Sequence, residues 1–160
     1  MEIETNKLMD KRLKGESVEE WMVKYPLTTK LKNILKAGLS EINGMIFLST
    51  FCEGFTSKDV TDKNGTEMLI NKFHVEDYIP KKNIDYSLQQ GIVFAFKIQD
   101  LLVNRFPGAA FKIIVSTDEG EDSFPGICTL GFYKIRPKDV VWLQDDLEKY
   151  QMNGLMVIIT

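Results

Sequence analysis

The spacing of apolar and polar positions along the chain predicts four helices. Ser17–Glu20 is a capping-box sequence, which satisfies free amides at a helix start and predicts a helix that ends at Tyr25-Pro26. Thr28 or Thr29 begins a second helix that reaches about Leu39. A long helix from Ser87 to about Arg105 is apolar on most sides, so we expect it to be the central buried helix. Pro137 predicts a last helix over residues 138–150.

Shorter apolar or alternating runs predict five strands. They are Met45–Phe51, Met68–Val75, Phe111–Ser116, Ile127–Ile135 and Leu155–Ile159. Between the first two lies a polar stretch with a predicted turn at Asn64-Gly65, because an Asn-Gly pair tolerates the positive φ of a tight turn. The third and fourth strands are predicted to form a hairpin through a turn over residues 117–126.

This order of elements favours an α+β fold in a single domain, residues 1–160. We expect a mixed, mostly antiparallel sheet of about five strands with helices packed on it. Residues 1–14 are polar and are predicted to be frayed or to form a loose helix. A chain of 160 residues buries roughly 70% of its unfolded surface, so it needs no disulfide or metal to fold.

Charge and hydropathy narrow the class of protein. The net charge is −3, from 20 basic and 23 acidic residues, which argues against a general nucleic-acid binder with a basic stripe. The acidic start lacks the apolar core of a signal peptide, and no apolar run is long enough to span a bilayer. We therefore expect a cytoplasmic protein, a whole small gene product, without a membrane partner. Cys52 and Cys128 lie in apolar runs and are predicted to be reduced and buried, with one disulfide as the alternative.

Enzyme and metal motifs find little support in the sequence. The one histidine, His74, lies in a strand-like run, and no Gly-x-Ser-x-Gly elbow or phosphate-binding glycine loop accompanies it. Asp62 and Asn64 fit two positions of a calcium loop, but Val60 and Asn71 stand where two essential ligands belong. We therefore predict no enzyme, no cofactor and no metal site.

The segment 118–122 carries four carboxylates in five positions: Asp118, Glu119, Glu121 and Asp122. Three interpretations stay open. The segment can be a solvated hairpin tip, since runs of charge usually face water. It can be a surface for a basic partner, which would relieve the repulsion between the carboxylates. It can also be a metal or acid–base site, although an exposed tip offers no cleft to separate the pKa values.

The C-terminal half resembles a known type of protein. The relevant stretches are Phe106-Pro107-Gly108, the strand 111–116, the acidic turn, residues 129–133 and residues 142–150. Together, over residues 86–160, they resemble small α+β immunity proteins of bacterial polymorphic toxin and contact-dependent growth inhibition systems. The resemblance implies a protein that binds a cognate toxin domain, for example a nuclease, and neutralises it. The toxin-binding carboxylates would be the four named above, followed by Glu76 and Asp77.

Two other functions remain as alternatives. A small-molecule-binding or enzymatic domain would build its site from scattered polar residues. The candidates are His74, Tyr78, Arg105, Tyr133 and Arg136. A structural or adaptor subunit would instead use the apolar terminal strand, residues 155–159, as an exposed sheet edge that pairs with another chain.

Overall fold

The computed structural model describes residues 1–57, 60–80, 83–121, 124–137 and 141–160, without the side chains of Glu119, Glu121, Phe124 and Pro125. The helices are α1 (Lys7–Leu13), α2 (Val18–Lys24), α3 (Thr29–Ala37), α4 (Lys63–Asn71) and α5 (Ile84–Arg105), with 3₁₀ helices at Val75–Tyr78 and Leu147–Lys149. The strands are β1 (Glu2–Thr5), β2 (Leu39–Ile42), β3 (Met45–Leu48), β4 (Phe73–His74), β5 (Phe111–Glu121), β6 (Phe124–Lys134) and β7 (Asn153–Ile159).

Five of the strands form one antiparallel sheet in the order β1-β7-β5-β6-β4, and β2 and β3 form a separate hairpin. The predicted α+β class with a sheet of about five strands is confirmed. The terminal strand β7 is paired on both sides, with β1 and with β5. The prediction that residues 155–159 form an exposed edge is therefore wrong, since the edges of this sheet are β1 and β4.

The inner face of the sheet carries the main core. The long helix α5 lies against β5 and β6 and buries an almost continuous apolar set, from Leu88 to Leu102. Gly91 lets α5 lie close against β6, because a Cβ added there would lie 2.9 Å from the Sγ of Cys128. α1 packs beside it on β7, and α2 and α3 pack against α5 from behind. The predicted central buried helix is confirmed.

The outer face is covered by α4 and by residues 141–150. A second apolar cluster forms here, between residues of the sheet and Leu143 and Leu147. α4 also contacts the β2–β3 hairpin, whose turn is Asn43-Gly44 with φ of 52° and 76°. Positive φ at both residues is the signature of a tight hairpin turn. The predicted turn at Asn64-Gly65 is wrong, because both residues lie in the first turn of α4.

Several other local predictions fail because pairing partners lie far away in sequence. In residues 1–14 the predicted helix is present as α1, but residues 2–5 form β1 rather than a frayed end, since β7 supplies a partner for this strand. Residues 68–75 are mainly helical, and only Phe73–His74 is a strand. The capping box of α2 is present, but α5 begins at Ile84, with Asn83 as its N-cap, three residues before the predicted start at Ser87.

The last helix and the acidic turn also differ from their predictions. Strand pairing continues through most of residues 117–126, as far as Glu121 and Phe124, because the ladder needs only backbone groups. Of the predicted helix over 138–150, residues 138–140 lie outside the described part, and the rest forms only a short 3₁₀ helix at Leu147–Lys149. Within the ranges given above, no helix combines the length and hydropathy needed to cross a bilayer.

Candidate binding groove on the outer face of the sheet

The outer face of the sheet contains a groove whose floor is set by strand register. Ser116 of β5 pairs with Leu155 of β7 and with Thr129 of β6, and Thr129 pairs in turn with His74 of β4. Side chains two residues apart on a strand share a face. The row of Ser116 is therefore followed by the row of Asp118, between Asn153 and Ile127. The floor is thus mixed, with hydroxyls between apolar side chains.

Two elements form the walls of this groove. On one side lie Met68 of α4 and Lys72, the residue that follows α4. The helix packs directly over Gly131, where an added Cβ would lie 2.8 Å from the Cε of Met68. On the other side lies the segment 141–150, with Trp142 and Tyr150 lining the groove. The enclosed volume is about 380 Å³. This is at the lower end of the range of pockets that hold small ligands or single side chains.

The polar groups in the groove are only partly engaged. The Oγ1 of Thr129 lies 3.3 Å from the Nδ1 of His74, and the Oδ1 of Asp118 accepts a 2.8 Å hydrogen bond from the amide of Gly120. Among the described residues, no salt bridge reaches Asp118. Within the described ranges, the Oγ of Ser116 makes no hydrogen bond. The side-chain amide of Asn153 makes a hydrogen bond through its Nδ2 but not through its oxygen. Carboxylate, hydroxyl and amide oxygens are therefore left to accept from a ligand.

Exposed apolar side chains surround the groove. Ile127 is 41% exposed, Trp142 51% and Leu69 76%. A second groove of about 520 Å³ lies on the other side of Trp142 and shares Met68 and Lys72 with the first. Trp142 is held between them by packing on Gly65 and by a 3.3 Å hydrogen bond from its Nε1 to Asp62. Exposed tryptophan beside apolar side chains is typical of interaction surfaces.

The acidic residues predicted from the sequence are only partly placed at this groove. Asp118 is exposed and lines it. Asp122 lies outside the described residues. The side chains of Glu119 and Glu121 are also outside the description, although the backbones of these two residues belong to β5. Three of the four carboxylate residues, Asp118, Glu119 and Glu121, thus belong to β5, and among their side chains only that of Asp118 is placed at the groove.

Glu76 and Asp77 follow His74 in the 3₁₀ helix, and they differ from each other. Asp77 is exposed, whereas Glu76 turns inward, and its Oε1 accepts a 2.6 Å hydrogen bond from the amide of Cys128. The other oxygen of Glu76 is buried. Glu76 is therefore not the free surface carboxylate that the sequence analysis expected, because its side chain completes the sheet where β4 ends.

The residues of the small-molecule alternative do not converge. His74 lines the groove, but Arg105 donates to the carbonyl of Leu39 at the far end of α5. Arg136 forms a 2.8 Å ion pair with Glu67. Tyr133 is buried on the outer face, where burial and then the charge of nearby Asp145 raise its pKa.

Tyr78 belongs to an aromatic cluster with Phe51 and Phe73. Burial, followed by the charge of Asp77, raises the pKa of its hydroxyl. Tyr133 and Arg136 line one cavity of about 250 Å³, whereas His74, Tyr78 and Arg105 lie elsewhere, so the five candidates do not form one site.

Metal and thiol chemistry add nothing at the groove. In the described ranges, no group of three or more histidine, cysteine or acidic side chains is arranged to hold a metal ion. Cys52 and Cys128 are free and buried, so the prediction of reduced, buried cysteines is confirmed.

The sequence analysis did not predict four residues that line the groove: Lys72, Ser116, Thr129 and Trp142. The period of two in β5 was the available signal for Ser116, because it puts Ile114, Ser116 and Asp118 on one face.

Comparison with known proteins identifies the family. A family model described as "Uncharacterized protein PM0498 family" matches residues 4–159, nearly the whole chain, and the chain belongs to this family. The comparisons with curated proteins and with solved structures each give no match.

Proposed function

We propose that this member of the Uncharacterized protein PM0498 family is an immunity-type protein, which binds a toxin domain and neutralises it by protein–protein contact. The observation that carries the proposal is the outer-face groove, which opens beside exposed Asp118 and is bordered by exposed apolar side chains. The function does not require a reaction on this chain, so the protein acts as a binding module. A nuclease is one class of toxin that an acidic inhibitor suits.

The apolar border supports a protein partner. Trp142, Ile127 and Leu69 are large side chains that are left in water at the two neighbouring grooves of the outer face. Burying them against a partner would remove this apolar area from water, which is the main driving force of association. Tryptophan is enriched at such interfaces, where a few buried anchors supply most of the binding energy.

Charge supports a basic partner. The segment 118–122 carries four carboxylates, and the chain as a whole carries −3. Acidic charge attracts a basic surface over the Debye length and raises its association rate, and salt reduces the effect. A nuclease domain has a basic surface because it binds phosphates.

The test is a co-expression experiment in a bacterial host. A tagged chain is used to capture its partner from its native cells, and the partner's terminal domain is expressed with and without the chain. We expect the domain alone to arrest growth and the pair to grow. Asp118→Lys combined with Trp142→Ala should abolish the rescue, because the first substitution reverses a charge and the second removes an apolar anchor from the proposed surface.

Asp100→Lys is the matched control for charge. Asp100 is exposed on α5, on the opposite side of the sheet, and its replacement changes the net charge by the same amount as that of Asp118. The control should rescue growth like the wild type. A stoichiometric partner without toxicity would overturn the toxin proposal, and rescue by the Asp118 and Trp142 variant would overturn this choice of surface.

A further inference from the structure

We propose that the outer-face groove is a receptor for one arginine side chain that the partner presents, with the guanidinium group at Asp118. This inference rests on the proposed function, since it names the chemistry by which the partner is recognised. It can nevertheless be tested on the isolated protein.

The shape of the groove favours a long unbranched side chain. The row of Ile114 and the row of Asp118 are four residues apart on β5, which is about 13 Å along the strand. Between them the groove offers apolar side chains, with Met68 in one wall, Leu143 in the other and Leu155 in the floor. An aliphatic stem can lie along these side chains while its charged end stays near the mouth.

The acceptors at the mouth favour a cation with several donors. Asp118 uses one carboxylate oxygen for the amide of Gly120, and its charge meets no basic side chain within the described ranges. The amide oxygen of Asn153 lies in the row of Asp118, and the hydroxyl of Ser116 lies in the next row. A guanidinium presents five donors in a plane, whereas an ammonium presents three from a point, so these spread acceptors favour arginine over lysine.

The positive group of the groove, Lys72, lies at its other side. Lys72 directly precedes β4 and faces the groove from the wall, and β4 is two strands away from β5. Neighbouring strands are about 4.8 Å apart, so about 10 Å separates the strand of His74 from that of Asp118. The cation is therefore drawn to the Asp118 end, and the charge of Lys72 repels it from the opposite wall.

The experiment is an NMR titration of the full chain, labelled with ¹⁵N, with three small probes. Nα-acetyl-L-arginine amide is the test ligand, and the citrulline amide is its neutral isostere. The glutamate amide is the third probe, because Lys72 and His74 could instead prefer an anion. We expect saturable shifts for the arginine probe at residues 114–118 and 127–131 and at the indole N–H of Trp142. The citrulline probe should bind at least about tenfold more weakly, since it lacks the charge.

Asp118→Asn is the decisive variant, because an asparagine oxygen can still accept from Gly120 while the charge is lost. We expect it to weaken the arginine probe about tenfold, and we expect Asp100→Asn on α5 to leave binding unchanged. Equal binding of citrulline, preference for glutamate, or an unaffected Asp118→Asn variant would each overturn the inference.

These outcomes are separable from those of the growth experiment. Arginine binding without a toxic partner would leave the groove as an arginine receptor and remove the proposed function. Growth rescue that survives Asp118→Asn, without arginine binding, would keep the function and remove this inference.

Discussion

At the scale of single residues, Glu76 replaces a missing piece of strand. β4 ends at His74, opposite Thr129, so the next amide of β6 has no backbone partner from β4. The carboxylate of Glu76 accepts from this amide, which belongs to Cys128. The thiol beside it is fully buried, and burial, followed by the charge of Glu76, raises its pKa well above the usual value.

The raised pKa of Cys128 predicts a stability that decreases in alkaline solution. Below about pH 8.5, the pKa of a free thiol, the folded and unfolded chains both keep the proton and the contribution is complete. Above that pH only the unfolded chain loses it, so the free energy of unfolding decreases by up to about 1.4 kcal/mol per pH unit. Urea unfolding from about pH 7.5 to about pH 9.5 measures this dependence.

Cys128→Ala provides the comparison for that measurement. This variant lacks the thiol, so its free energy of unfolding should decrease less steeply over the same range, with a difference in slope that grows towards one proton at the alkaline end. Its lower stability at neutral pH, from the lost sulfur, does not affect the comparison of slopes. Parallel curves for the two proteins would contradict the prediction.

At the scale of elements, α4 joins the β2–β3 hairpin to the main sheet through polar side chains. Glu67 is fully buried, and its two oxygens accept from the amides of Ile46 and Lys134 at 2.6 and 2.8 Å. Both oxygens also accept from the guanidinium of Arg136 at 2.8 Å. One turn later, Asn71 bonds the backbones of β3 and β6. A helix side chain thus supplies the partners that a further strand would have supplied.

This arrangement explains why residues 68–75 were wrongly predicted to be a strand. Over so short a run, Met68 and Ile70 alternate with neighbours in the way that a half-buried strand does. The glutamate and asparagine that decide for a helix find their partners on β3 and β6, distant in sequence. The helices α2 and α3 were predictable because their caps, Ser17 and Thr28, act within the same turn.

Glu67→Gln is therefore expected to destabilise the fold strongly. A glutamine keeps the size but puts an NH₂ group where two donors already point. Breaking a buried charge pair on one side costs about 3–5 kcal/mol. Leu69→Ala is the matched control on the same helix, because Leu69 is 76% exposed, and its change should stay within about 0.5 kcal/mol. Urea unfolding of both variants measures the difference, and similar losses for the two would contradict it.

At the scale of the whole molecule, β1 closes one side of the sheet. It covers the edge of β7, an apolar strand whose residues 154–158 are all buried. Asn6 extends this closure, since its side chain accepts from the amide of Leu155 and donates to the carbonyl of Asn153. The outward strand carries Glu2 and Glu4, and charge on an edge strand discourages pairing with other chains.

Removal of residues 2–5 is expected to cause self-association. The deletion leaves the backbone of β7 unpaired on one side, and an apolar strand edge is a template for pairing with another copy. Sedimentation velocity at increasing concentration should show oligomers for the deletion variant and none for the wild type. The double variant Glu2→Gln and Glu4→Gln keeps β1 and separates the loss of the strand from the loss of charge. A deletion variant that stays folded and monomeric would contradict the prediction.

The sequence by itself determined the α+β class, the central helix and the buried, reduced cysteines. These follow from apolar periodicity and from caps, which act between residues close along the chain. Only the tertiary structure decided that β7 lies inside the sheet and that Glu76 and Glu67 accept hydrogen bonds from strand amides. It also decided that Asp118 shares a groove with His74 and Trp142. These contacts join residues dozens of positions apart, and strand order and register select them, which no local pattern records.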